Sequence, residues 1–148
     1  MTKRITDAYN VSQTMHRGQV DRAGIDYFHG HILTVFNYVG GFTADEDVAI
    51  TALLHDIVED TSVTIKEIRG EFGDTIADAV KLLTRTRKLS NNQIDFDYLD
   101  GIKGNEIARI VKLADLKHNS DLNRLSKVND EDRARAEKYM KCIDYLSN

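Results

Sequence analysis

The sequence predicts an all-α fold, a single helical domain over residues 1–148, and three observations carry that expectation. Apolar residues recur at intervals of three and four. Hydroxyl and acidic residues stand together where helices would begin. No segment sustains the alternation of apolar and polar residues, with turn chemistry at its ends, that a half-buried strand needs. The 148 residues include no proline, no low-complexity stretch and no repeat, so nothing marks a domain boundary. At 41% hydrophobic, a chain of this size can bury one core.

Taken in order, helical spacing places a first helix over 5–21 and a second over 31–39, the latter opening on the apolar run "HILTV". "TADE" (Thr43 to Glu46) and "TIKE" (Thr64 to Glu67) match the capping box, in which hydroxyl and acid each satisfy an orphan amide. Helices are therefore expected over 44–58 and 64–70. Ile76, Val80 and Leu83 share one face of a helix over 74–86, and a further helix is expected over 93–100. Ile107, Ile110, Val111 and Ala114 give the inward face of a helix over 104–120. A last helix, over 130–147, carries the lone Cys142 in "EKYMKCIDYL". With no histidine close in sequence, Cys142 reads as a small packing residue and not as a nucleophile.

Charge narrows the function. The net charge is −4 with no basic tail or block, which argues against long nucleic acid and anionic membrane as partners. A small anion can still use a local basic pocket. The N-terminal "MTKRITDAYN" has no apolar leader core, and no run approaches the roughly 18 apolar residues that span a bilayer. A cytoplasmic protein is expected, in agreement with a single cysteine that can form no intrachain disulfide. A homo-oligomer stays open.

Chemistry concentrates in "ALLHDIVEDT", residues 52–61, where an apolar helix ends in His55, Asp56, Glu59 and Asp60. Residues four apart lie on one helix face, so these groups converge. Three acids repel one another, and at a helix C-terminus the macrodipole disfavours each by some tenths of a kcal/mol. The segment holds no basic residue, so a cation from outside it is expected, and a divalent ion would remove both penalties. The five histidines are His16, His29, His31, His55 and His118. His31 begins an apolar run, and Asp115 ends one in "VKLADLKHNSDL". Together these give the pattern His…His-Asp…Asp from three helices. Imidazole and carboxylate donors suit a hard or borderline octahedral ion such as Mn²⁺.

In the order "HILTV", "LLHDIVEDT", "EFGDTIADAVKLLT", "VKLADLKHN", the chain resembles the HD-domain metal-dependent phosphohydrolases. The similarity is to the hydrolase domain of the RelA/SpoT type and its small stand-alone relatives that hydrolyse (p)ppGpp, and it extends from "HRGQVDRAGIDYF" to "DLNRL". The resemblance implies a single HD-type helical bundle. It implies that His31, His55, Asp56 and Asp115 bind the metal, that Glu59 and Asp60 handle water activation and proton transfer, and that Asn119 faces a small nucleotide substrate. Positive side chains must also meet the phosphates, and the candidates are Lys112, Lys117, Arg22, Arg85, Arg87 and Lys88, each also readable as an ordinary surface charge.

Three departures from the family pattern stand out. His31 is followed by isoleucine where proline is usual, and "YFHGH" carries one residue more between Tyr27 and His31, which makes His29 a competitor for the metal. His31 is favoured because it shares a face with Val35 at i+4, whereas His29 precedes Gly30 in what reads as an entering loop. Asp21 stands where an arginine contacts the guanine base, and Leu116 and Lys117 replace the usual arginine and leucine. The expected function is therefore a metal-dependent phosphohydrolase, foremost a (p)ppGpp 3′-pyrophosphohydrolase-like enzyme. The alternatives are a nucleotide phosphatase releasing orthophosphate and a helical metal-binding module without turnover.

Overall fold

The structure, a computed structural model, describes residues 1–90 and 92–148. The described residues form helices α1 (Lys3–Met15), α2 (Leu33–Phe42), α3 (Glu46–Leu54), α4 (Ile57–Asp60), α5 (Ile65–Phe72), α6 (Asp74–Leu83), α7 (Phe96–Lys103), α8 (Glu106–Asn119) and α9 (Asp130–Ser147). A π turn, Phe28–Ile32, leads into α2, and a short 3₁₀ turn, Leu122–Arg124, follows α8. Among the described residues there is no strand beyond one isolated bridge, Val20 to Asp26. No described helix is long and apolar enough to cross a membrane.

Two apolar clusters make the core. Val35, Val39, Val48, Ala52, Val111 and Leu116 belong to one; Phe28, Ile32, Ile50, Leu53, Leu54 and Ile57 belong to the other. The segment 28–39 feeds both from successive turns, Phe28 and Ile32 before Val35 and Val39, whereas α3 feeds both from opposite faces, Val48 and Ala52 against Ile50, Leu53 and Leu54. Each of these segments also buries a polar residue, His31 in the first and Thr51 in α3.

Several expected boundaries move, each for a local reason. The helix expected over 5–21 stops at Met15. His16 caps it, and Gly18, at φ 88°, enters a conformation that L side chains rarely adopt. The box expected at Thr43 does not form. Asp45 is the N-cap, accepting from the Asp47 amide at 2.9 Å, while the Thr43 hydroxyl accepts from the Asp45 amide at 3.1 Å. The box at Thr64 does form with Glu67. A second box joins Asn129 and Asp132 at the start of α9.

The helix expected over 44–58 is broken at His55 and Asp56. Asp56 adopts φ −104°, ψ 0° and precedes α4 without capping it, although an aspartate at that position usually would. Its carboxylate points inward instead. Glu59 and Asp60 thus lie in a separate four-residue helix, and the macrodipole argument against them does not apply.

Candidate metal centre

Four side chains from the π turn, the α3–α4 break and α8 converge. His31, His55, Asp56 and Asp115 each offer one ligand atom, and these atoms lie within 4.8 Å of one another. His31 Nε2 is 2.9 Å from Asp115 Oδ1 and 3.4 Å from Asp56 Oδ2. His55 Nε2 is 3.1 Å from Asp56 Oδ2 and 3.5 Å from Asp115 Oδ1. An octahedral ion with ligands near 2.1 Å needs neighbouring donors about 3 Å apart and opposite donors about 4 Å apart. His31 and His55 are each 3% exposed, and Asp115 is 5% exposed.

The π turn explains how His31 keeps its inward aim. The Leu33 amide donates to the Phe28 carbonyl, five residues back, so one extra residue is absorbed without rotating the helix that follows. His31 thereby lies in a π turn and not in a regular helix, and His29 lies in the same turn and not in a loop. His29 points away, with its Nδ1 2.7 Å from Asp26 Oδ2 at an exposed position.

Each of the four candidate ligands has an outer partner. His55 Nδ1 lies 2.6 Å from the Ala52 carbonyl, an acceptor only, so Nδ1 carries the proton. Its buried Nε2 lies 3.1 Å from Asp56 Oδ2 and 3.5 Å from Asp115 Oδ1, without the alignment of a hydrogen bond to either. A nitrogen lone pair among anionic oxygens is the donor arrangement a cation completes, so the residues present fit a divalent ion. His31 Nδ1 is 2.8 Å from His118 Nδ1. The Tyr27 hydroxyl donates to Asp56 Oδ2 at 2.6 Å. Lys112 Nζ donates to Asp115 Oδ2 at 3.0 Å, and Asn119 Nδ2 to Asp115 Oδ1 at 3.1 Å.

Electrostatics follow from this packing. Burial opposes charge on Asp56 and Asp115, but the histidines, and for Asp115 Lys112, hold both carboxyls far below the usual range. Burial likewise opposes charge on His31 and His55, yet the two aspartates outweigh it and raise both. Glu59 and Asp60 stand at the open side. Both reach solvent, but the surrounding wall removes enough water to disfavour their charge. Burial and then Asp56 and Glu59 push Asp60 up to about 6; Glu59 is also raised, although the Arg85 amide, 2.5 Å from Oε1, opposes the shift. Burial, with His31 and Arg124 nearby, brings His118 down to about 4.

The expected phosphate-binding cations fare differently. Lys112 is no surface cation: it is 7% exposed and is spent on Asp115, so it supplies part of the positive charge that "HDIVED" lacks. Arg22 forms an ion pair with buried Asp132 at 2.6 Å. It still lines a pocket of about 340 Å³ with Asn119, Arg124, Arg135 and Tyr139. Arg85 and Arg87 line a separate cleft of about 640 Å³, where Arg87 is engaged by Asp95 at 2.7 Å. Lys117 lies over the Tyr38 ring at 4.4 Å, beside a different pocket, and Lys88 is exposed.

Sequence reasoning missed Tyr27, Arg124, Arg135 and Tyr139, and gave His118 no role. The signal for His118 is its i+3 spacing from Asp115; Tyr27 carried none by itself. Asp21 is used locally: Oδ1 accepts from the Ala23 and Ile25 amides at 2.9 and 3.0 Å.

Comparison with known proteins shows the family and the fold. A family model described as HD domain matches residues 8–107. A guanosine-3′,5′-bis(diphosphate) 3′-pyrophosphohydrolase of Spiroplasma citri is 34% identical over 79% of this chain and 16% of that protein. A GTP pyrophosphokinase of Myxococcus xanthus is 33% identical over 88% of this chain and 18% of its own length. The bifunctional (p)ppGpp synthase/hydrolase SpoT of Escherichia coli is 28% identical over 79% and 18%. The chain thus spans less than a fifth of these curated relatives. A solved structure described as a metazoan ortholog of SpoT that hydrolyses ppGpp superposes with a TM-score of 0.82, covering 99% of this chain and 86% of that one at 24% identity, which shows a shared fold.

Proposed function

The chain belongs to the HD-domain family, and from that premise we propose that it is a divalent-metal-dependent phosphohydrolase that cleaves the 3′-diphosphate from (p)ppGpp or a closely similar nucleotide. One observation carries this reading: two histidines and two aspartates from three segments bring one ligand atom each within 4.8 Å of one another, with two further acids at the open side. A metal-binding fold without turnover has no need of those further acids. The relatives' names supply the substrate class.

His31, His55, Asp56 and Asp115 would hold the ion, for which we assign Mn²⁺ from the imidazole and carboxylate donor set. When bound, such an ion lowers the pKa of water and polarises a phosphoryl oxygen. Glu59 and Asp60 take the proton of the attacking water; they titrate as a coupled pair, and a carboxylate raised to about 6 is a usable base near neutrality. Tyr27, Lys112 and Asn119 hold the carboxylates in place. Asn119 also opens onto the arginine-lined pocket, so a nucleotide with one phosphoryl group at the centre would set its remaining anionic groups toward Arg22, Arg124 and Arg135. A cytoplasmic location is consistent with this substrate.

A second reading, release of orthophosphate from another nucleotide, is favoured by Asp21, whose carboxylate closes its own turn and offers no cation to a guanine ring. Incubation of Mn²⁺-loaded protein with a nucleotide panel, followed by chromatography, separates the two. Pyrophosphate and GDP from ppGpp support the proposal; orthophosphate alone supports the second reading. No turnover of any phosphate ester refutes both.

A further inference from the structure

We propose that His118 is a positioning residue for His31, accepting the His31 Nδ1–H and thereby presenting His31 Nε2 as a lone pair to the ion. This deepens the reading above and rests on it. The two rings meet through Nδ1 atoms 2.8 Å apart and lie stacked, with centroids 5.0 Å apart and planes 28° from parallel. Both side chains are buried, at 3% and 8% exposure. Two Nδ1 atoms at that distance share one proton, so one ring donates and the other accepts. If His31 accepted, its proton would sit on Nε2, the atom 2.9 Å from Asp115 Oδ1, and that nitrogen could not ligate. Metal binding by His31 therefore requires His118 to be the acceptor, with its own proton on Nε2.

The partners of the other candidate ligands differ in kind. Tyr27, Lys112 and Asn119 donate to carboxylates, and His55 donates to a backbone carbonyl. His118 is the side chain that serves His31 as an acceptor. It follows Asp115 by three residues on α8, on the same face. One helix turn thus supplies a ligand and the partner of a second ligand, which ties the register of the π turn to α8.

The test compares Mn²⁺ affinity, by chelator competition, among wild type, His118→Phe and His118→Asn, alongside the melting temperature of each metal-free protein. Phenylalanine keeps a planar ring without an acceptor; asparagine places an amide oxygen near the Nδ1 position. Loss of an outer partner of a ligating histidine costs metal affinity roughly 10–100-fold. We expect that loss in His118→Phe and recovery of most of it in His118→Asn. Equal affinity in wild type and His118→Phe, or equal loss in both variants, overturns the inference. Should His118→Phe not fold, nitrogen NMR of the wild type loaded with diamagnetic Zn²⁺ decides: a protonated His31 Nδ1 facing an unprotonated His118 Nδ1 supports it, and the reverse refutes it. A wild type that binds no metal would instead refute the metal-centre reading, which keeps the two failures distinct.

Discussion

Gly30→Ala probes how the π turn holds His31. In most helical settings this substitution stabilises by up to about 1 kcal/mol, because alanine has less backbone freedom to lose. Here a Cβ would overlap Asp21 Oδ2 and approach Ile25 Cγ2 at 3.0 Å. Asp21 cannot swing aside freely, since its Oδ1 holds the Ala23 and Ile25 amides. Releasing those two hydrogen bonds costs about 0.5–1.5 kcal/mol each, or about 1–3 kcal/mol together. The clash therefore outweighs the propensity gain, and a net loss of roughly 1–2 kcal/mol is expected. At about 2–4 °C per kcal/mol, that lowers the melting temperature of the metal-free protein by roughly 2–8 °C. Asp21→Ala loses the two bonds by itself but opens the space. In that background Gly30→Ala should be neutral or stabilising, a sign reversal that a double-mutant cycle reads directly. Stabilisation by Gly30→Ala alone, or an equal cost in both backgrounds, would refute the reasoning.

Further outcomes follow from the same contacts. Lys112→Met leaves Asp115 Oδ2 buried without its ammonium partner, so the metal-free protein should lose about 3–5 kcal/mol in denaturant titration, with part of the loss recovered when Mn²⁺ is added. Glu59→Gln should slow hydrolysis roughly 10²–10⁴-fold while the metal stays bound, and retained activity would move the base role to Asp60 or to bulk water. Because the Asp60 carboxyl is raised to about 6, protonation below that pH removes a base, so kcat/KM should fall on the acid side. The bound cation shifts this limb lower; a profile flat from about pH 4 to 8 would contradict the assignment. His31→Ala should lose the metal, whereas His29→Ala, which breaks an exposed pair worth at most about 1 kcal/mol, should keep it by elemental analysis.

What the sequence disclosed and what it hid have physical causes. The helical class and the order His31, His55-Asp56, Asp115 were legible because periodicity and motif spacing are local properties. The break after Leu54 was not, since no glycine or proline marks it. It coincides with the inward turn of the Asp56 carboxylate toward Tyr27, a partner 29 residues away. The burial of Lys112 was equally hidden. Its stem lies on a face with apolar neighbours, but its charge is tolerated because Asp115 follows at i+3 and the Tyr98 ring, from α7, lies 5.3 Å away. The surplus residue in "YFHGH" was visible, but its accommodation by a π turn was not, because only the packing of Phe28 and Ile32 into one core and Val35 into the other sets the register on both sides.

Metal content of the wild-type protein tests the centre most directly. After chelation, reloading with Mn²⁺ and dialysis, elemental analysis should find about one ion per chain, with His55→Ala and Asp115→Ala near zero and the melting temperature of the loaded wild type raised by mass action. A wild type that retains no metal under these conditions would contradict the reading of His31, His55, Asp56 and Asp115 as one binding site.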